Sequence, residues 1–232
     1  MSLATYAERR GQLETYFDAT AVKAWAQLTS DAPVSRIRET VRQGRDSMRA
    51  TIMSWLPADL TQKALLDAGC GTGALAVEAA QRDARVTAID VAGNLVALAR
   101  ERAPQSAAGA IDFHVGDMLS PALGTFDHVV AMDSLIHYPQ AHIVSVLAAL
   151  AERTRTSIIF TFAPQTPMLS VMHGAGRLFP RANRAPAIEP VAEGRLRRGI
   201  AAERALQGWT PRRTQRIASG FYTSQALELV RR

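Results

Sequence analysis

Three carboxylates spaced among glycines are the residues of this chain best suited to chemistry. In LLDAGCGTGALA, residues 65–76, a β-rich apolar run ends at Asp67 and enters Gly69, Gly71 and Gly73 just before a helical pattern. Glycines at such a junction let the backbone turn sharply and let a ligand approach it with no Cβ atoms in the way. Asp90 follows Gly73 by seventeen residues, at the end of the next β-rich run. A carboxylate there accepts hydrogen bonds from both hydroxyls of a ribose. In HVGDML, Gly116, Asp117 and Met118 follow the third run. Asp117 is placed to accept from an adenine amino group, and the backbone beside Met118 to meet the ring edge. Together these elements mark a nucleoside-bearing cofactor. A nicotinamide dinucleotide and S-adenosylmethionine compete for that description, but an acidic residue before the glycines repels a pyrophosphate and suits the ammonium of a methionyl group. S-adenosylmethionine is favoured. Cys70, between the glycines and with no adjacent His, reads as a small spacer rather than a nucleophile.

Parallel βα units must position these groups. Strands are expected at Ala64–Ala68, Val86–Asp90, Ile111–Val115, His128–Met132 and Ser157–Phe162, and helices at Ala74–Arg82, Asn94–Ala103 and Ala141–Arg153. Two further strands, Arg212–Ser219 and Ser224–Arg231, are joined through Gly220 as a hairpin. The expected fold is α/β, a doubly wound seven-stranded sheet. Outside the alternation stand an N-terminal helical arm or cap, residues 1–57, and a proline-punctuated insert at about 164–208 inside the 58–232 core. The insert reads as a lid, with Met168, Leu169, Val171 and Met172 an apolar patch in it.

With 47% hydrophobic and 21% charged residues, the chain is neither disordered nor a disulfide scaffold. The lone Cys70 has no partner for a bridge, and no Cys/His cluster suggests a metal site. His114, His128, His142 and His173 read as structural. The N-terminus lacks the apolar core of a secretory signal, so a cytoplasmic location is expected. Net charge is +6, but residues 177–232 carry +8 and the first 176 residues −2. A basic end fits an anionic partner or a solvated surface. It leaves RNA methylation as a second reading, although no RNA-binding module or aromatic platform accompanies it. A non-catalytic S-adenosylmethionine binder is a third.

The region 64–162 with the terminal hairpin resembles the class I S-adenosylmethionine-dependent methyltransferases. YFDATAVKAWAQL at residues 16–28, the arm through Trp55, and MDSLIHYPQ at residues 132–140 narrow the likeness to the magnesium-protoporphyrin IX O-methyltransferases of chlorophyll and bacteriochlorophyll synthesis. The resemblance implies esterification of one porphyrin propionate, an arm closing over the cofactor, and Tyr16 and His137 near the reacting groups. The expected cofactor set is Asp67, Gly69, Cys70, Gly71, Gly73, Asp90, Val91, Asp117 and Met118, with Met132 and Asp133 after the fourth strand. The implied partner is magnesium-protoporphyrin IX, whose magnesium belongs to the substrate. The large subunit of magnesium chelatase is a candidate donor and peripheral membrane association a candidate location; no nucleic-acid ligand is expected. A propionate of pKa about 4–5 is ionised at neutral pH, so it requires no general base.

Overall fold

Leu65 and Leu66 are adjacent in sequence and both fully buried, yet they belong to different cores. Alternate side chains of a strand point to opposite faces, so two neighbouring buried leucines require a sheet covered on both sides. A computed structural model describing residues 3–20, 29, 35–108, 110–165 and 188–232 has that architecture. The strands are β1 (Ala64–Ala68), β2 (Arg85–Asp90), β3 (Ile111–Val115), β4 (Phe126–Ala131), β5 (Thr154–Phe162), β6 (Trp209–Ser219) and β7 (Tyr222–Arg231). Their order is β3-β2-β1-β4-β5-β7-β6, with β1 to β5 parallel and β7 antiparallel to both β5 and β6. Five strands differ from the expected bounds: β2 begins at Arg85 rather than Val86, β6 at Trp209 rather than Arg212 and β7 at Tyr222 rather than Ser224, and β4 and β5 shift as well. β4 runs Phe126–Ala131 rather than His128–Met132, and β5 begins at Thr154, three residues early, because Phe126 pairs with Thr154 before the register shift that precedes His128.

The longer α-helices among the described residues are α1 (Leu3–Thr15), α2 (Arg36–Trp55), α3 (Ala74–Ala80), α4 (Gly93–Arg102), α5 (Gln140–Ala151) and α6 (Glu193–Ala202). Ser35 caps α2 by accepting from the Arg38 N–H, an oxygen satisfying one of the orphan donors of a helix start. Met48, Ile52 and Met53 of α2 are buried with Leu65 and Val130 on one face of the sheet. On the other, Ile143 and Leu147 of α5 and Leu196 and Ile200 of α6 pack with Leu66, Ile158 and Leu227. The C-terminal part of the expected lid therefore contains a helix packed into the core. The patch at Met168–Met172 and His173 lie outside the described residues, as does Trp25.

The basic end is partly an edge. β6 is the outermost strand, its middle exposed and its Arg213 paired with the buried Glu228. Charge along an unpaired edge discourages strand addition.

Strand order reverses between β1 and β4: the chain winds to β2 and β3 on one side and to β5 on the other. Crevices at the carboxyl ends of strands flanking such a switch are where open α/β sheets bind ligands.

Candidate active site

At that switch lies a cavity of about 360 Å³. Its floor comes from the ends of β1, β2 and β4, and its walls from α1, α2 and the β6–β7 hairpin. Among the expected site residues it is lined by Tyr16, Gly69, Gly71, Asp90, Val91, Met118, Met132, Asp133 and His137. Asp67 and Cys70 line a smaller neighbouring cavity of about 230 Å³ that shares Gly69 and Gly71. Gly73 and the side chain of Asp117 stand apart from this wall. Gly73, at φ +80°, starts α3, and a Cβ there would meet Ala99 and Phe113 at 3.1 and 3.2 Å. Its bareness serves helix packing.

The glycine loop is shaped for an occupant. Gly69 has φ +86°, and a Cβ on it would lie 2.4 Å from Ser134 Cβ; Gly71 has φ +53° and an added Cβ would meet no protein atom. The space over Gly71 is thus cavity. Below the loop Asp67 is buried, and its Oδ2 has no hydrogen-bond partner. Desolvation, then the charge of Asp90, push its pKa up to about 7, against a hydrogen bond from the Ala76 backbone. A buried anion short of donors beside a Cβ-free cradle fits a cofactor bearing an ammonium and a ribose.

Asp90 is built into the backbone around it. Its Oδ2 accepts from the Gly71 N–H at 2.8 Å and its Oδ1 from the Ala92 N–H at 2.9 Å. Burial raises its pKa despite these bonds. Burial likewise pushes the Cys70 thiol up, with Asp67 and Asp90 adding to the effect. That is the opposite of what a nucleophile requires.

The remaining wall comes from far along the chain. Tyr6 donates to Asp117 Oδ1 at 2.8 Å and stacks on Tyr138, while Arg10 pairs with Asp117 Oδ2 at 2.5 Å. Asp117, expected at the adenine, is here held by the arm. Arg9 donates to the His137 carbonyl at 2.8 Å. Asp18 accepts from the Asn94 N–H at 2.7 Å, taking the capping role that Ala92 at the start of α4 cannot perform. Tyr16 packs edge-on to Phe17, whose ring is 5.9 Å from that of the buried His137. Asp133, at φ +54°, accepts from Arg45 at 2.8 Å, from Ser224 at 3.0 Å and from Tyr222 at 3.2 Å. Burial and then Asp133 raise the Tyr222 pKa.

Leu13, Arg45, Tyr222 and Ser224 also line the cavity, and sequence reasoning did not assign them. They carry no local motif; only the placement of α1, α2 and β7 brings them to the ends of β1 and β4. Of the other histidines, His128 contacts Ser157 Oγ at 2.8 Å inside the sheet, His114 is 2.8 Å from Asp112, and the buried Nδ1 of His142 has no hydrogen-bond partner among the described residues. Among the described residues no group of three or more His, Cys, Asp or Glu is arranged to hold a metal ion.

Comparison with known proteins settles the family. Over 224 residues, 96% of this chain and 97% of the relative, the chain is 49% identical to a magnesium-protoporphyrin O-methyltransferase of Rhodobacter capsulatus. The chain belongs to the magnesium-protoporphyrin O-methyltransferase family. A Synechocystis member is 30% identical over 93% of this chain and 94% of its own. The family model for the magnesium-protoporphyrin IX methyltransferase C-terminus matches residues 131–231, and a general methyltransferase domain model matches residues 65–157. In three dimensions the crystal structure of the Synechocystis enzyme with bound SAH superposes with a TM-score of 0.83 at 28% identity, covering 96% of this chain and 99% of that one. A geranyl diphosphate C-methyltransferase from Streptomyces coelicolor, at 11% identity and a TM-score of 0.68 over 97% of this chain and 98% of that one, shares the fold. This is the class I methyltransferase fold.

Proposed function

We propose that the chain transfers a methyl group from S-adenosylmethionine to a propionate carboxylate of magnesium-protoporphyrin IX, giving the monomethyl ester and S-adenosylhomocysteine in bacteriochlorophyll synthesis. The observation that carries this reading is the end-to-end identity of 49% with the Rhodobacter relative of that name. S-adenosylmethionine is the cofactor, and what it supplies when bound is an electrophilic methyl on a sulfonium.

In this reading Asp90 takes the ribose hydroxyls, the Gly69–Gly71 backbone takes the methionyl end above Asp67, and Gly116–Met118 flank the adenine. The work left to the protein is alignment and exclusion of water. Fixing two reactants in an attack geometry is worth about 7–11 kcal/mol at best, which suits an acceptor already ionised. Tyr16 and His137 orient the acceptor as hydrogen-bonding groups rather than as bases. The start of the N-terminal arm acts as a cap: α1 and the turn just after it reach over the cavity through Tyr6, Arg10 and Asp18, and their opening admits a macrocycle while their closing removes water. Substrate arrives from the large subunit of magnesium chelatase or from a membrane surface on which the protein sits peripherally. Among the described residues no helix is long and apolar enough to cross a membrane.

Purified protein given labelled S-adenosylmethionine with magnesium-protoporphyrin IX, with metal-free porphyrin or with RNA tests the substrate. Label should enter the magnesium porphyrin as a base-labile ester, and label in RNA alone would refute the reading. His137→Gln should retain measurable turnover with no new steep pH dependence near neutrality. A loss of about 100–10,000-fold would instead make His137 a general base.

A further inference from the structure

The cavity is too small for the reaction it serves. At about 360 Å³ it sits near the low end of small-molecule pockets, which span about 300–1,000 Å³. It has room for a nucleoside cofactor but not for that cofactor and a tetrapyrrole together. The macrocycle must therefore rest at the mouth with only a propionate reaching inward, and the mouth should present an apolar surface.

It does. Phe221, at the tip of the β6–β7 hairpin, lines the cavity yet is 59% exposed, and Ile188, 39% exposed, lines it too. Such an aromatic is costly to leave in water, and the fold holds this one rigidly outward. Before it, Gly220 turns at φ +56° directly against α2, where a Cβ would lie 2.2 Å from Thr40 Oγ1. After it, the buried Tyr222 packs against Gly44 so closely that a Cβ there would fall 2.4 Å from the Tyr222 ring, and its hydroxyl donates to Asp133 at 3.2 Å. Both chain neighbours of Phe221 are thus clamped to α2 or to the loop after β4. Phe221 is in the two-residue turn between β6 and β7, and with Gly220 and Tyr222 both held against α2 its side chain is left on the outside of the turn.

We infer that Phe221 is the stacking platform for the face of the tetrapyrrole, a substrate-binding residue mounted in advance on the hairpin, with Ile188 extending the same surface. The inference rests on the substrate reading above. A rigid mount loses little entropy on binding, and ring stacking selects a flat aromatic acceptor without touching the reacting carboxylate.

The test compares wild type, Phe221→Ala and Phe221→Trp in three measurements: quenching of magnesium-protoporphyrin IX fluorescence by the SAH-bound enzyme, calorimetric affinity for SAH, and steady-state kinetics. Phe221→Ala should weaken tetrapyrrole binding and raise its KM by about ten-fold, the scale of a lost aromatic contact. SAH affinity and kcat should stay within about two-fold, and Phe221→Trp should restore binding. An unchanged KM in Phe221→Ala, or an equal loss of SAH affinity, overturns the inference while wild-type turnover leaves the substrate reading standing. Failure of the wild type to bind or methylate the porphyrin overturns both.

Discussion

The two sides of the cavity are held by different kinds of interaction. On the glycine-loop side the polar partners are near neighbours in sequence: the buried Asp90 carboxylate accepts from the backbone N–H of Ala92 two residues on and of Gly71 nineteen residues back. On the arm side the partners span most of the chain, 111 residues for Tyr6–Asp117, 88 for Arg45–Asp133 and 89 for Tyr222–Asp133. Some of these are firm and some weak. Asp133 sits in a desolvated nest of four donors, from Arg45, Tyr222, Ser224 and Thr161. Arg10–Asp117 is a half-exposed ion pair of the kind worth about 0–1 kcal/mol. A site built this way is expected to keep its cofactor floor fixed and to let the arm wall open.

Changes to the floor should do the most damage. Gly69→Ala forces a side chain into a left-handed position, which costs about 1–2 kcal/mol, and drives a Cβ against Ser134, which adds about 1–3 kcal/mol. A total of about 2–5 kcal/mol should appear in denaturant melts, with SAH binding lost in calorimetry. Normal affinity in this variant would show that the loop conformation is not what binds.

Next comes Asp90→Ala, which should weaken S-adenosylmethionine binding by about 1.5–3 kcal/mol, or about 10–150-fold. Because Asp90 also anchors the Gly71 and Ala92 N–H groups, a thermal melt must accompany the titration. Unchanged affinity in a folded variant would remove Asp90 from the site.

The arm should respond more gently. Hydrogen exchange should show weak protection of residues 6–18 in the free protein and stronger protection with SAH bound. Tyr6→Phe, losing one hydrogen bond of about 1 kcal/mol, should lower protection further. Deleting residues 1–28 should leave the sheet folded and reduce turnover more than SAH affinity. Equal protection in both states would mean that this wall does not open.

The last effect is one of pH. Asp67 has a pKa near 7 in the folded protein and about 3.9 in an unfolded chain. Between those values the native state holds a proton that the unfolded chain has released, so stability falls as pH rises through that window. Asp67→Asn cannot ionise and should flatten the decline of melting temperature between about pH 4 and 7. A profile identical to wild type would show that Asp67 does not titrate there.

Much of the floor was legible before any coordinates, because its signals are local. The alternation of β-rich runs with helical periods marks five parallel strands, and the spacing of Gly69, Gly71 and Asp90 sets them at consecutive strand ends, where all three line the cavity. The resemblance carried by residues 16–28 and 132–140 pointed to the family. The opposite wall was legible only in part. Tyr16 and His137 were singled out through that resemblance, but Arg45, Tyr222 and Phe221 lie in segments that read simply as an amphipathic helix and a hairpin.

By itself, then, the sequence determined which strands form, which backbone turns are bare enough to cradle a cofactor and where the first carboxylates fall. These depend on side-chain size and on spacings within one βα unit. The tertiary structure decided that Asp117 is held by Tyr6 and Arg10, that Gly73 serves packing, and that Asp133 gathers donors from α2, β5 and β7. The physical reason is the placement of β7 beside β5 and the packing of α2 against the sheet. Both are fixed by burial of two opposite faces at once, which no local pattern records.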